Sequence, residues 1–319
     1  MRIRFALLAF AFVASTVSLP AFAADGGRAN SVIGDKVNPD RFGARGSDQA
    51  YGAFQRGLYI TAFNLALPRA QNGDPAAQTL VAEILAQGLG RKRDEAEAAK
   101  WYAKAAEQGI PEAQFQYALM LLDGRFMPKD AKTAYALMQA AAEAGNRMAQ
   151  FNFAQMIVQQ EPGEAGLEKA VPYYRRAAEA RLADAEYAMA QFSQSGLGGV
   201  KQDPKEAQRW LLRAARQNYD SAQLDLGTQL VEGRTGVKDE DAGFMWLRLA
   251  ALGGNPAAQA RLAKLYMTGI GTEPDNSTAA SWYFLARRAG LRDSVLEDLL
   301  DGMTMDEQKV ALERANRLR

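Results

Sequence analysis

Residues 258–290 read AQARLAKLYMTGIGTEPDNSTAASWYFLARRAG and contain one complete copy of a pattern that recurs along the chain. Apolar residues at helical spacing fill the first half, which a glycine-rich turn ends at Gly269. Asp275 then precedes a second helical stretch, which carries Trp282 and closes at Gly290. An aspartate in this position accepts hydrogen bonds from the free amides of a helix start, and glycine suits the left-handed cap at a helix end. The stretch therefore predicts two helices joined by a tight turn.

The pattern returns at an interval of about 36 residues. An Ala-Gln or Ala-Glu pair begins each copy, at Ala77, Ala113, Ala149, Ala185, Ala222 and Ala258. A large side chain marks the second helix, at Trp101, Leu137, Tyr173, Trp210, Trp246 and Trp282. Aspartates stand seven residues before five of these, at Asp94, Asp130, Asp203, Asp239 and Asp275. One helix pair cannot bury its apolar face alone, so the pattern predicts an all-α fold, a right-handed α-solenoid of stacked helix–turn–helix units.

The third unit departs from this pattern. Gly166 occupies the slot of the capping aspartate, and Arg181 stands where glycine or asparagine ends the other second helices. We therefore expect a weaker joint at this point of the array.

The N-terminus predicts export. Two arginines precede an apolar run, residues 5–17, which is too short to span a membrane comfortably. Small residues at Ala21 and Ala23 fit a signal-peptidase site, so residues 1–23 are expected to be a signal peptide cleaved after Ala23. The alternative is an uncleaved anchor. The mature chain is expected in the periplasm, without insertion into the membrane.

Segments that do not follow the repeat pattern lie on both sides of the repeats. Residues 24–46 are rich in polar residues and glycine and are expected to form a disordered leader. Residues 47–291 are assigned to the solenoid, as a short first helix pair followed by six repeats. Residues 292–319 are predicted to form capping helices, with Thr304 and Glu307 as a capping box.

Composition argues against several classes of function. The 38 basic and 37 acidic side chains nearly cancel, which disfavours a nucleic-acid partner. The 319 residues include no cysteine and no histidine, so disulfides, thiolate nucleophiles and the commonest general base and metal ligand are excluded. No catalytic residue, cofactor site or metal site is expected, and the composition favours a protein that is not an enzyme.

The repeat resembles the Sel-one-like repeat family, which is related to the tetratricopeptide repeats. The family signature runs Ala-x3-Leu-Gly-x2-Tyr, a Gly-x-Gly turn, an Asp, then Ala-x2-Trp/Tyr-x3-Ala-Ala-x2-Gly. Here it is carried by Ala258, Leu262, Tyr266, Gly269, Gly271, Asp275, Ala279, Trp282, Ala286 and Gly290, with Ala263 in place of the helix glycine. The resemblance covers nearly all of residues 50–290. It implies an adaptor, and for an exported bacterial member it implies an envelope or sensor-kinase protein as partner.

Analogy with tetratricopeptide repeats places the binding groove at positions two, six and nine after the alanine of each pair. In the middle repeats these positions hold Phe115, Leu119, Leu122, Phe151, Gln155, Val158, Tyr187, Gln191 and Gln194. The hypothesis is that the aromatic side chains anchor a peptide or helix and the glutamines bind its backbone. Because exposed aromatic strips are uncommon, the alternative that these side chains only seal adjacent repeats is kept.

A basic face is also visible in the fourth unit. Arg209, Arg213 and Arg216 fall near one side of its second helix. The alternatives are a docking surface and a solvated outer face, and we expect the second.

Three functions follow as hypotheses. The first is a monomeric periplasmic scaffold, adaptor or regulator that binds another protein or peptide. The second is a cell-wall-associated enzyme or enzyme subunit, and the third is a structural role through self-association at the solenoid ends.

Overall fold

A computed structural model describes residues 48–234, 236 and 238–318. The predicted signal peptide and leader, residues 1–23 and 24–46, lie outside the described residues. Every regular element within the described ranges is an α-helix. The helices are α1 (Gln49–Gln55), α2 (Tyr59–Gln71), α3 (Pro75–Gln87), α4 (Glu95–Glu107), α5 (Pro111–Asp123), α6 (Ala131–Glu143), α7 (Arg147–Gln160), α8 (Glu164–Glu179), α9 (Ala183–Ser195), α10 (Pro204–Arg216), α11 (Asp220–Glu232), α12 (Glu240–Leu252), α13 (Pro256–Thr268), α14 (Asn276–Arg288), α15 (Ser294–Asp301) and α16 (Met305–Arg317).

The described residues form two compact units, and the division between Ala134 and Tyr135 falls within α6. In the first unit, each helix from α1 to α4 packs on the next helix of the chain. In the second unit, the same sequential packing runs from α7 to α14, and α16 packs on α14. Sequential packing of helix pairs confirms the predicted all-α solenoid.

The predicted helix ends are confirmed. The aspartate caps accept hydrogen bonds from first-turn amides at Asp94, Asp130, Asp203, Asp239 and Asp275. Each such cap satisfies amides that have no partner within the helix. The first helices end in the left-handed conformation at Gly88, Gly124, Gly196, Gly233 and Gly269.

The glutamine of the recurring Ala-Gln pair binds the helix that precedes it. In each case the side-chain amide donates to a carbonyl eight residues earlier, in the last turn of that helix. The bonds are Gln78 to Ala70 (3.1 Å), Gln114 to Ala106 (3.3 Å), Gln150 to Ala142 (3.1 Å), Gln223 to Ala215 (3.1 Å) and Gln259 to Ala251 (3.3 Å). Each of these carbonyls also accepts a backbone N–H from the turn after its helix, and the glutamine bond adds a link that fastens each pair to the next.

The third unit does differ, since no side chain caps the start of its second helix. Gly163 caps α8, which begins at Glu164, and Gly166 lies in its first turn. A Cβ added at Gly166 would stand 1.8 Å from the carbonyl oxygen of Glu161, so close backbone approach requires glycine there. Arg181 takes the left-handed conformation with φ of 65°, which costs a side-chain-bearing residue backbone strain.

The C-terminal helices join the core of the last repeat. Leu296 and Leu300 of α15 and Ala311 of α16 are buried in one cluster with Trp282 and Tyr283 of α14. The predicted capping box between Thr304 and Glu307 is present at the start of α16. Among the described helices, none has both the length and the apolar character needed to cross a membrane.

Candidate polar binding pocket

A pocket of about 240 Å³ opens between α9, α10 and α11 in the second unit. One side is polar and carries Gln191 and Gln194 of α9 together with Asp225 and Gln229 of α11. The lining also includes Pro204, Ala207 and Leu211 of α10 and Ala190 of α9, of which only Pro204 is exposed. The pocket therefore combines hydrogen-bonding groups with an exposed apolar side chain at Pro204.

Asp225 is the central polar group of this pocket. Its Oδ2 accepts a hydrogen bond from the Tyr187 hydroxyl at 3.0 Å and another from the Gln191 amide at 3.2 Å. Within the described ranges, its Oδ1 has no hydrogen-bond partner and its carboxylate forms no ion pair. A partly buried carboxylate thus keeps one oxygen free for a ligand.

The surroundings act on both titratable groups of this pair. Burial raises the pKa of Asp225, while the hydrogen bonds from Tyr187 and Gln191 and the charge of Arg234 act in the opposite direction. Burial also raises the pKa of Tyr187, and the Asp225 carboxylate raises it further. The tyrosine therefore stays protonated at neutral pH and donates its hydrogen bond to Asp225.

Two further residues shape the pocket. The Oε1 atom of Gln229 is buried and finds no hydrogen-bond partner among the described atoms. Such an atom loses its hydration without replacement, which costs about 1–3 kcal/mol. Arg234 lies at the rim with 65% of its side chain exposed and forms an ion pair with Glu232. The interior of the pocket thus presents unpaired acceptors.

The predicted groove residues are distributed over both units. In the first unit, Phe115 is 5% exposed and therefore contributes to packing, and Leu119 and Leu122 are half-buried. In the second unit, Phe151, Gln155 and Val158 of α7 are half-buried, and the Phe151 ring packs edge-on against Tyr174 at 5.5 Å. The remaining three, Tyr187, Gln191 and Gln194, come together at the pocket around Asp225. A partner-binding role for these nine residues stays a prediction.

Sequence reasoning missed Asp225 and Gln229. Asp225 stands three residues after the alanine of its repeat, a slot that holds Leu80, Gln116, Asn152, Ala188 and Arg261 elsewhere. A slot that varies so widely has no signal in the repeat pattern. Only the contacts of Asp225 with Tyr187 and Gln191 single it out.

The expectation of a solvated outer face is wrong for Arg213. Its Nε lies 2.8 Å from Oε1 of Glu186, a carboxylate that is 0% exposed. Its Nη2 also donates to the Ala178 carbonyl at 2.8 Å, the position that glutamine binds in the other repeats. Arg213 therefore supplies the donor that the Ala185-Glu186 pair lacks. Arg209, with 71% of its side chain exposed, does face solvent.

Comparison with known proteins gives a consistent result. A sequence model of the Sel1 repeat matches residues 75–110, 111–146, 148–181, 183–219, 220–255 and 256–291. Chitin synthase regulatory factor 3 of Schizosaccharomyces pombe is 29% identical over 137 residues, which cover 41% of this chain and 15% of that protein.

Solved structures show the same architecture. A Sel1 repeat protein from Oxalobacter formigenes superposes with a TM-score of 0.62 and 31% identity, covering 79% of this chain and 77% of the other. A protective antigen of uropathogenic Escherichia coli with an SLR fold gives a TM-score of 0.54 and 24% identity, covering 82% of this chain and 64% of the other. The second likeness concerns the fold alone.

Proposed function

The chain belongs to the Sel1 repeat family, whose members generally mediate protein–protein interaction, and we propose that it is an exported scaffold or regulator that binds an envelope or sensor protein in the periplasm. The binding surface in this proposal is the face around the pocket between α9, α10 and α11.

One observation carries the proposal. Tyr187 and Gln191, two positions predicted to bind a partner, hold the carboxylate of Asp225 in a pocket while leaving its Oδ1 unpaired. The free Oδ1 is not among the buried unpaired atoms, so a donor from outside the chain can reach it. Recognition of such a donor on a partner accounts for an oxygen that no group in the described part of the chain binds.

The distant relative from Schizosaccharomyces pombe supports a regulatory role, since that protein carries the name of a regulatory factor. The match covers only 15% of that protein, so its partner is not transferred to this chain. No observation on the described residues favours the cell-wall enzyme or enzyme subunit, which stays a hypothesis from the sequence.

Export is tested by fractionation and mass spectrometry of the protein from its own cells. We expect a chain that begins at Ala24 and is released with the periplasmic fraction. A chain that still begins at Met1 and sediments with membranes would contradict the proposed location.

Partner binding is tested by site-specific photocrosslinking in cells. A photoreactive phenylalanine replaces Gln194, which is exposed beside the pocket, or Arg209 of α10 as a matched control on an exposed surface. We expect an adduct of one defined mass from position 194, containing an envelope protein, and none from position 209. Equal adducts from both positions, or none from either, would count against the proposed surface.

A further inference from the structure

We propose that the pocket between α9, α10 and α11 binds a primary alkylammonium group, the head of a lysine side chain presented by a partner polypeptide. The inference rests on the proposed function and names the chemical group that the same surface recognises. Its basis is the set of unpaired atoms in the pocket and the shape of the pocket wall.

The unpaired atoms are both acceptors. Asp225 has a free Oδ1, and its only partners in the described part of the chain are a hydroxyl and an amide, which are neutral. Gln229 presents a buried Oε1 without a partner. A group that binds the free Oδ1 of Asp225 must donate, and an ammonium offers three donors and no acceptor. Its positive charge also pairs with the only carboxylate that lines the pocket.

The wall and volume fit a long aliphatic side chain. The pocket has about 240 Å³, several times the roughly 30 Å³ that one water occupies in the liquid. Pro204 of α10 provides an exposed apolar surface in the same pocket, whereas Ala207 and Leu211 of the lining are buried. Lysine buries its carbon chain along such surfaces while its ammonium reaches a polar group.

The hydrogen bonds of Asp225 favour an ammonium over a guanidinium. Arginine binds a carboxylate best through two parallel hydrogen bonds, one to each oxygen. Oδ2 of Asp225 already accepts from both Tyr187 and Gln191, so only Oδ1 is available. A compact ammonium needs a single free oxygen and is the better match.

The positive charge of Arg234 should weaken the binding of an ammonium group, so replacing Arg234 gives a second test of the inference. It lines the pocket and carries a positive charge, although its side chain is mostly exposed and paired with Glu232. Exposed charges of this kind are worth about 0.2–1 kcal/mol, so Arg234→Gln is expected to tighten binding of a cation by about 1.4-fold to fivefold.

The direct test is a titration of the full chain, as purified, with Ac-Gly-Lys-Gly-NH2, followed by nuclear magnetic resonance of the glutamine side-chain amides. The same peptide acetylated on the lysine nitrogen keeps the carbon chain and loses the charge. Asp225→Asn keeps an acceptor for Tyr187 and Gln191, and Asp241→Asn removes an equal charge from the exposed surface of α12 as the matched control. Thermal unfolding verifies that each variant is folded.

We expect millimolar or tighter binding by the wild type, shifts at Gln191 and Gln229, and a loss of about tenfold or more on acetylation or with Asp225→Asn. Asp241→Asn should bind as the wild type does. Affinity unchanged by Asp225→Asn or by acetylation overturns the inference, and so does a lack of binding to the wild type.

Two further arms separate related explanations. The n-butylammonium ion carries the same head without a polypeptide, and binding as tight as that of the peptide would overturn the polypeptide source in favour of a free amine. If the crosslinked partner is still captured while the lysine peptide does not bind, this inference fails and the scaffold proposal stands. If the peptide binds at Asp225 and no partner is captured, the scaffold proposal fails instead.

Discussion

Replacing Arg213 with leucine should destabilise the fold strongly, because it leaves a fully buried carboxylate without its cation. Glu186 is 0% exposed and accepts from Arg213 at 2.8 Å and from Gln217 at 2.6 Å. In Arg213→Leu only the Gln217 bond to Glu186 remains, and the Ala178 carbonyl loses the guanidinium donor while it keeps the Arg181 backbone N–H at 3.0 Å.

The magnitude follows from these contacts. Removing one partner of a buried ion pair costs about 3–5 kcal/mol. Glu186→Gln removes the buried charge. Arg213 stays partly hydrated in this variant because its side chain is 33% exposed, so the change should lower the free energy of unfolding by about 1 kcal/mol. The double variant recreates the glutamine and leucine found at Gln223 and Leu249 in the next repeat. We expect it within about 1 kcal/mol of the wild type, since apolar replacement of a buried ion pair is often neutral or stabilising.

The assay is a double-mutant cycle measured by urea unfolding, with circular dichroism as the signal and the denaturant slope compared across all four proteins. The summed cost of the two single changes should exceed the cost of the double variant by about 3–6 kcal/mol, at or above the upper end for residues in contact. The reasoning is refuted if Arg213→Leu alone costs less than about 1 kcal/mol, or if the double variant is no more stable than Arg213→Leu.

Three other predictions concern local packing, capping and pH. Gly227→Ala should lower the free energy of unfolding by about 1–3 kcal/mol, because the added Cβ would stand 2.8 Å from Leu247 Cγ and 2.9 Å from the Gly243 carbonyl oxygen. Gly302→Ala is the control. Its added Cβ would have no atom closer than 3.5 Å, so it should be nearly neutral in the same unfolding assay. Thr304→Ala should lower the free energy of unfolding by about 1 kcal/mol and speed hydrogen exchange of the first amides of α16. Ser294→Ala removes an exposed hydroxyl at the start of α15 and should change neither quantity. Burial raises the pKa of Glu83 above its ordinary value of 4.5, and nearby Glu112 adds to this while the hydrogen bond from Tyr102 opposes it. The folded state therefore holds this proton more tightly than the unfolded chain, so the contribution of Glu83 to stability falls as pH rises from 4.5 through the raised pKa. Measured against Glu83→Gln, the wild type should lose stability over that range, and parallel pH profiles of the two proteins would contradict the prediction.

The helices and their ends were predictable because their causes are local in sequence. Asp275 caps α14 through amides only a few residues away, and Gly269 ends α13 in a conformation that glycine adopts without strain. The 36-residue interval repeats these signals, so each unit supports the assignment of the others. Where the local signal is missing, as at Gly166, the repeat pattern did not indicate the start of the helix, which lies at Glu164.

The pocket was only partly predictable, since it depends on pairs of residues far apart in the chain. Tyr187 and Gln191 occupy groove positions of a known repeat geometry, and both were predicted. Their partner Asp225 lies in the next repeat, in a slot that the pattern leaves free to vary. The role of Arg213 depends likewise on Glu186, whose significance is visible only when the carboxylate is seen to be buried.

The central claim is that a protein partner binds this chain at the face formed by α9 and α11. The most direct measurement is hydrogen–deuterium exchange of the chain with and without its crosslinked partner, once that partner has been purified. The account predicts slower exchange in residues 183–195 and 220–232, with α12 and α14 unchanged. Protection confined to α12 or α14, with α9 and α11 exchanging as in the free chain, would contradict it.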